Sequence, residues 1–151
     1  MKELNLPTYS FKIKSKEQKK YIFDSIRGKF ILLTPEEWVR QNFIQYLSEE
    51  KGYPQSLMSV EHYLKVKQIS FRADIAVFNR KGDPVLIVEC KAPEVPVRQA
   101  HFDQISRYNN HFRVNYLIVT NGINHYCNYY DFAERSATFL NHIPAYDDLP
   151  G

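Results

Sequence analysis

Residues Phe71 to Lys91 read FRADIAVFNRKGDPVLIVECK, and the rest of the chain is interpreted outward from them. Phe71, Ala73, Ile75 and Val77 alternate with Arg72, Asp74, Ala76 and Phe78, the period of two that marks a strand. A turn-forming cluster, Asn79-Arg80-Lys81-Gly82-Asp83-Pro84, leads into the apolar run Val85-Leu86-Ile87-Val88. The pattern predicts a β-hairpin. With its centre between Lys81 and Gly82, where glycine supplies a positive φ, Asp74 stands directly opposite Glu89. A loop of even length about that centre keeps this pairing, and an odd one displaces it by one residue.

Directly opposed residues share a face of the sheet, with Cβ atoms ~4.5–5.5 Å apart. Lys91, two residues beyond Glu89, points to that face as well. Two carboxylates and an ammonium then converge where the strands end. Opposed like charges are destabilising unless something compensates them. A divalent cation would do so, with Lys91 as a partial substitute. Mg²⁺ is typically held by one or two carboxylates plus water and substrate phosphate, which points to phosphodiester chemistry. The plainer alternative is that Asp74 and Glu89 end strands near solvent and pair with Arg72 or Lys91.

Asp74 followed by Glu89-Cys90-Lys91 resembles the D…E-x-K signature of the PD-(D/E)XK nuclease superfamily. The words TPEEWVRQNF (34–43), KGYP (51–54), RADIAV (72–77), VECKAP (88–93), FDQISRYN (102–109) and LIVTNG (117–122) narrow it. They resemble, in order, the N-terminal nuclease domain of type I restriction enzyme R subunits. Gln104-x-x-x-Tyr108 resembles the Q-x-x-x-Y element of the recombination-exonuclease branch.

The resemblance implies a three-layer, restriction-endonuclease-like α/β fold, a mixed central β-sheet flanked by helices. It implies catalytic roles for Asp74, Glu89, Lys91 and Gln104. It implies Mg²⁺, or Mn²⁺, held by Asp74, Glu89 and the backbone carbonyl of Cys90. Glu37, on the first helix, stands where the superfamily often adds an acidic ligand. The activity implied is a metal-dependent DNA endonuclease. The alternative is a non-catalytic module of the same fold that binds nucleic acid or a partner protein.

Composition is consistent with this. At 151 residues, 44% hydrophobic and 15% aromatic, the chain reads as one globular domain. Its core is expected at about 21–130, with a basic arm at 1–20 and a tail at 131–151. A net charge of +3 leans mildly toward polyanions. Cys90 and Cys127 are the only cysteines, so a reducing cytoplasm is expected. The first residues lack the apolar core of a signal peptide, and no run approaches the ~18 apolar residues of a membrane span. The glycines, at 28, 52, 82, 122 and 151, include no two spaced five apart. A GxxxxGK[ST] phosphate loop cannot be written, so no ATP chemistry is expected of this sequence. The resemblance implies DNA as the partner, with specificity or motor functions supplied by a separate protein. The five histidines show no zinc spacing, and no GxSxG elbow occurs.

Along the chain, Tyr9-Phe11-Ile13 suggests a short strand. Lys12, Lys14, Lys16, Lys19 and Lys20 then form either a solvated face or a DNA-contacting arm. Short strands are expected at 21–23 and 30–33. Thr34-Pro35-Glu36-Glu37 begins a helix, with Thr34 as N-cap and Glu37 completing a capping box. That box accounts for Glu37 without a metal. Val39, Phe43, Tyr46 and Leu47 form the buried stripe, and Gly52 ends the helix. Leu57–Val66 reads as a strand whose charges, Glu61 and Lys65 included, face solvent. Pro93 and Pro96 precede a helix at about 97–111, which offers Arg98, Arg107 and Tyr108 to nucleic acid. Tyr116–Thr120 reads as a strand buried on both faces, and Asn121-Gly122 turns it back into 123–130.

Overall fold

The computed structural model describes residues 1–149. In chain order the elements are β1 (Ile13–Lys16), β2 (Lys19–Asp24), β3 (Lys29–Leu32), α1 (Pro35–Lys51), β4 (Met58–Val66), β5 (Ile69–Phe78), β6 (Pro84–Cys90), α2 (Gln99–Phe112), β7 (Tyr116–Thr120), β8 (His125–Asp131) and β9 (Ser136–Leu140). β1–β3 form a small antiparallel sheet, and β4 to β9 form a six-stranded sheet in sequence order. Only β6 and β7 pair in parallel there. A parallel pair needs a long crossover, and α2 is that crossover. The two apolar runs, Leu86–Val88 and Leu117–Val119, lie in this central pair and are almost wholly buried. They lack alternation because both faces are covered.

One face of the sheet packs Val88, Cys90 and Ile118 against Val39, Phe43 and Leu47 of α1. The other packs Ile87, Leu117 and Val119 against Phe102 and Ile105 of α2. Thr34 caps α1 through its hydroxyl, which accepts the Glu37 N–H at 3.0 Å, and Gly52 closes it at φ 73. The expected capping box is only half made, because the Glu37 carboxylate turns instead to Arg27, Arg40 and Gln41.

The hairpin register is the one anticipated, reached by a different route. The loop at 79–83 is odd in length, and Phe78 pairs with Pro84. A β-bulge at Val77/Phe78 then restores Val77 opposite Leu86 and Ile75 opposite Val88. The pairing ends there, one step short of Asp74 and Glu89. Beyond it β5 stays with β4, while β6 continues along β7 through Glu89–Val119 and Cys90–Thr120. The strands fork.

Three other expectations change. The first strand starts at Ile13, not Tyr9, because the turn at Glu17-Gln18, with φ 53 and 67, folds the lysine run into a hairpin. The tail is not featureless, since its 136–140 segment is the sixth strand. The start of the chain is docked: Trp38 Nε1 donates to the Lys2 carbonyl and the Asn5 N–H to the Gly122 carbonyl. Leu4 lies where a Cβ on Gly122 would stand, 2.7 Å away. Pro150, at the end of the expected tail, lies outside the described residues. Among the described residues no helix is long and apolar enough to cross a membrane.

Candidate functional site

The fork between β5 and β6 is where the sequence-predicted residues gather. Backbone N–H groups alternate sides along a strand. The Lys91 N–H donates to Thr120 on the β7 side, so the Cys90 N–H points toward β5. The β5 main chain has already moved away, and the Asp74 carboxylate takes its place, accepting from Cys90 N at 2.7 Å. The other Asp74 oxygen accepts from Arg40 Nη2 at 3.3 Å. Asp74 is therefore buried but doubly partnered.

Asp74 and Glu89 are not paired across the hairpin as the simple register predicts, and the Asp74 carboxylate reaches across the fork to the Cys90 N–H. Val88 and Cys90 belong to the α1-side core and Ile87 to the α2-side core, so Glu89 and Lys91 leave β6 toward α2. The Asp74 carboxylate lies between the Cys90 N–H of β6 and Arg40 of α1. The physical reason lies in β4, where Glu61 adopts φ 53 and the β4–β5 pairing skips from Val60–Ile75 to His62–Ala73. Alternation slips at that step. Ala73 packs with the α2-side core and Ile75 with the α1-side core, although only two positions separate them.

The two carboxylates meet electrostatically across the open fork. Burial pushes the Glu89 carboxyl up to about 7, and the Asp74 charge is the next contribution, with Lys91 opposing both. Lys91 Nζ lies 3.5 Å from Glu89 Oε1. Burial also raises Asp74, against the lowering effects of the Cys90 N–H, Arg40 and Lys91. The Cys90 thiol is fully buried and pushed well up by burial, so it is a core residue that presents only its backbone to the fork.

The acid that α1 turns toward this pair is Glu36. Desolvation against the cleft raises its carboxyl, followed by the Asp74 charge, and it in turn raises Glu89. Glu37 is committed elsewhere. Its oxygens accept from Arg27 Nη2 at 2.9 Å, Gln41 Nε2 at 3.0 Å and Arg40 Nη1 at 3.2 Å, and it reaches Asp74 only through Arg40. Arg40 and Arg27 each also reach Glu61, at 3.4 and 3.7 Å. Arg27 is fixed in turn by the buried Asp24. Glu61 is exposed, as expected, and also joins a two-arginine, four-carboxylate network that includes Asp74. Arg40, buried on the helix turn after Glu36 and Glu37, carried a legible spacing signal. Arg27 and Glu61 carried none.

Gln104 is exposed on α2, one turn from His101, whose imidazole is pushed down by burial, Lys91 and Arg98. Tyr108, one turn further on, packs its ring 5.3 Å from Phe71 on β5. Arg107 is exposed, and Arg98 opens onto a separate groove with Phe102, Tyr126 and Phe139. An open cleft of about 560 Å³ lies on the α1 side, lined by Leu32, Glu36, Arg40, Glu61, Arg72 and Ala92 among others. Among the described residues no three His, Cys, Asp or Glu side chains cluster closely enough to hold a metal by themselves. The fork offers two carboxylates and backbone, a donor set that fits a hard cation completed by water and phosphate oxygens.

Residues 35–144 match the family described as type I restriction enzyme R protein N terminus (HSDR_N). No curated protein matches. Among solved structures, a fragment described as an HsdR subunit of a type I restriction enzyme from Vibrio vulnificus YJ016 superposes with a TM-score of 0.53 at 21% identity. That match covers 78% of this chain and 24% of the other, so this chain spans about a quarter of its relative.

Proposed function

Because the chain belongs to the type I restriction enzyme R protein N-terminal family, we propose that the β5–β6 fork is the active site of a Mg²⁺-dependent DNA phosphodiesterase of restriction-endonuclease-like fold. The observation that carries the reading is the fork's geometry: the buried Asp74 carboxylate accepts from the Cys90 N–H at 2.7 Å, and Glu89, its carboxyl pushed up by burial and by Asp74, stands 3.5 Å from Lys91. Such a pair is under-compensated by Lys91 alone, and a divalent cation supplies what is lacking. Asp74, Glu89 and the Cys90 carbonyl would hold the ion, with Mn²⁺ as an alternative. When bound, it polarises the scissile phosphate and lowers the pKa of bound water.

The chain's own residues do the rest. Arg40 and the Cys90 N–H fix the Asp74 carboxylate, so its orientation costs nothing further when substrate arrives. Lys91, 3.5 Å from Glu89, would orient the attacking water or offset charge building on the phosphate. Gln104 and Tyr108, both exposed on α2, would meet the nucleic acid. Glu36, at the cleft, is better oriented to join the cation than Glu37. A separate specificity or motor component would direct cutting, as the family context suggests.

The test is calorimetric titration with Mg²⁺ and Mn²⁺, followed by a cleavage screen over single-stranded and duplex DNA. Binding and cleavage should both disappear in Asp74→Ala, with secondary structure unchanged. Metal binding that survives in that variant would refute the site.

A further inference from the structure

We infer that the outer face of the β1–β3 sheet is a backbone-binding platform for the nucleic acid that enters the fork, an inference that rests on the phosphodiesterase reading. The face follows from register. Ile22 and Asp24 on β2 are completely buried, so their side of the small sheet faces the body of the protein. Ile13 pairs with Ile22 and Lys14 with Tyr21, while Lys16 pairs with Lys19 and Tyr21 with Leu32. Alternation then puts Lys14, Lys16, Lys19, Tyr21, Phe23, Phe30 and Leu32 together on the opposite, outward side. Lys12, whose carbonyl accepts from Phe23 N, extends the same row.

Four exposed lysines therefore stand on one face of a short sheet. The two that have rings beneath them are held there: Lys12 Nζ lies 5.7 Å from the Phe23 ring centroid and Lys14 Nζ 4.3 Å from that of Phe30. The rings themselves meet edge to face at 5.3 Å. Cation–π contact of this kind limits the freedom of otherwise mobile ammonium groups. The only carboxylate in these strands or the β1–β2 turn, besides the inward Asp24, is Glu17 at the turn. Leu32, at the end of the platform, is also a wall of the cleft that contains Arg40, Arg72, Glu36, Glu37 and Glu61, the last two paired with arginines. A polyanion leaving the fork along that cleft passes onto the lysines. Because the lysines cover the rings, the contact is to phosphates and carries no base sequence.

The experiment measures fluorescence anisotropy of labelled single-stranded and duplex DNA, in EDTA, at a series of salt concentrations. The platform variant replaces Lys12, Lys14, Lys16 and Lys19 with Gln, which keeps the aliphatic cover of the rings. The control removes the same charge elsewhere, replacing the exposed Lys65, Lys67, Arg80 and Lys81 with Gln. On duplex DNA the platform variant should lose at least about tenfold in affinity, and its log–log salt slope should fall by about 3. The control should change by less than about twofold. Equal losses in both variants would show a net-charge effect and overturn the inference, as would no binding by the unaltered protein at low salt. Because EDTA removes cleavage from the assay, binding through the platform without any cutting would refute only the catalytic reading. Cutting with unchanged binding in the platform variant would refute only this one.

Discussion

Replacing Glu89 by Gln keeps the size of the side chain and removes its charge, which isolates the electrostatic cost of the fork. The Glu89 carboxyl sits at about 7 in the folded protein against an ordinary 4.5. Every tenfold change in proton affinity corresponds to about 1.4 kcal/mol, so ionising Glu89 in the metal-free fold costs about 3 kcal/mol at most. A fifth of the side chain remains in contact with solvent, which lowers that ceiling. The sign follows from proton counting. Between pH 4.5 and about 7 the folded state holds a proton that the unfolded state has released. The Glu89 contribution to stability is therefore fully present at and below pH 4.5 and is lost as pH rises through about 7.

Urea denaturation in EDTA across that range should show Glu89→Gln equal to the unaltered protein at about pH 4. By about pH 8 the variant should be more stable by about 1–3 kcal/mol. Saturating Mg²⁺ should stabilise the unaltered protein at that pH, by about 2.7 kcal/mol at a hundredfold excess over Kd, and leave the variant behind. A difference that stays flat with pH, or a variant less stable than the unaltered protein under alkaline conditions, would refute the electrostatic account of the fork.

Two further outcomes are expected. Lys91→Ala should keep or tighten Mg²⁺ affinity, because an ammonium leaves two carboxylates, while abolishing cleavage; weaker metal binding by calorimetry would show that Lys91 builds the site. Arg40→Ala should cost about 3 kcal/mol in chemical denaturation, since it leaves the buried Asp74 charge with only the Cys90 N–H, and Arg40→Lys should recover only part of that loss. A cost below about 1 kcal/mol would mean that the network behind Asp74 is screened by solvent.

The sheet was legible because its signals are local. Alternation in Phe71–Phe78, the Lys81-Gly82 turn and two continuous apolar runs each sit within one or two elements. Only β9 escaped, and its pattern shows why: Ser136–Thr138 and Phe139 are all exposed, so no buried row repeats along it. The bulge at Val77/Phe78 was invisible, yet it cancelled the odd loop. A pairing anchored by Val77–Leu86, Ala76–Ile87 and Ile75–Val88 tolerates one extra residue at its end more readily than a reversal of every side chain.

The surroundings of Asp74 were illegible for a different reason. Arg40 joins Glu61 and Asp74 across 21 and 34 residues, and Arg27 joins Glu37 across 10. No spacing rule reaches that far. The sequence does contain two adjacent acids at the start of α1, and either could have been the one facing the fork. A residue step on a helix is a rotation of about 100°, so Glu36 and Glu37, though both line the cleft, meet different neighbours there. Which of them faces the fork depends on where the arginines stand. Arg27, held by Asp24, claims Glu37 together with Arg40, and the acid left free at the cleft is Glu36. The identity of the fork's third acid is therefore a property of the small β1–β3 sheet, whose Asp24 turn delivers Arg27, as much as of α1 itself.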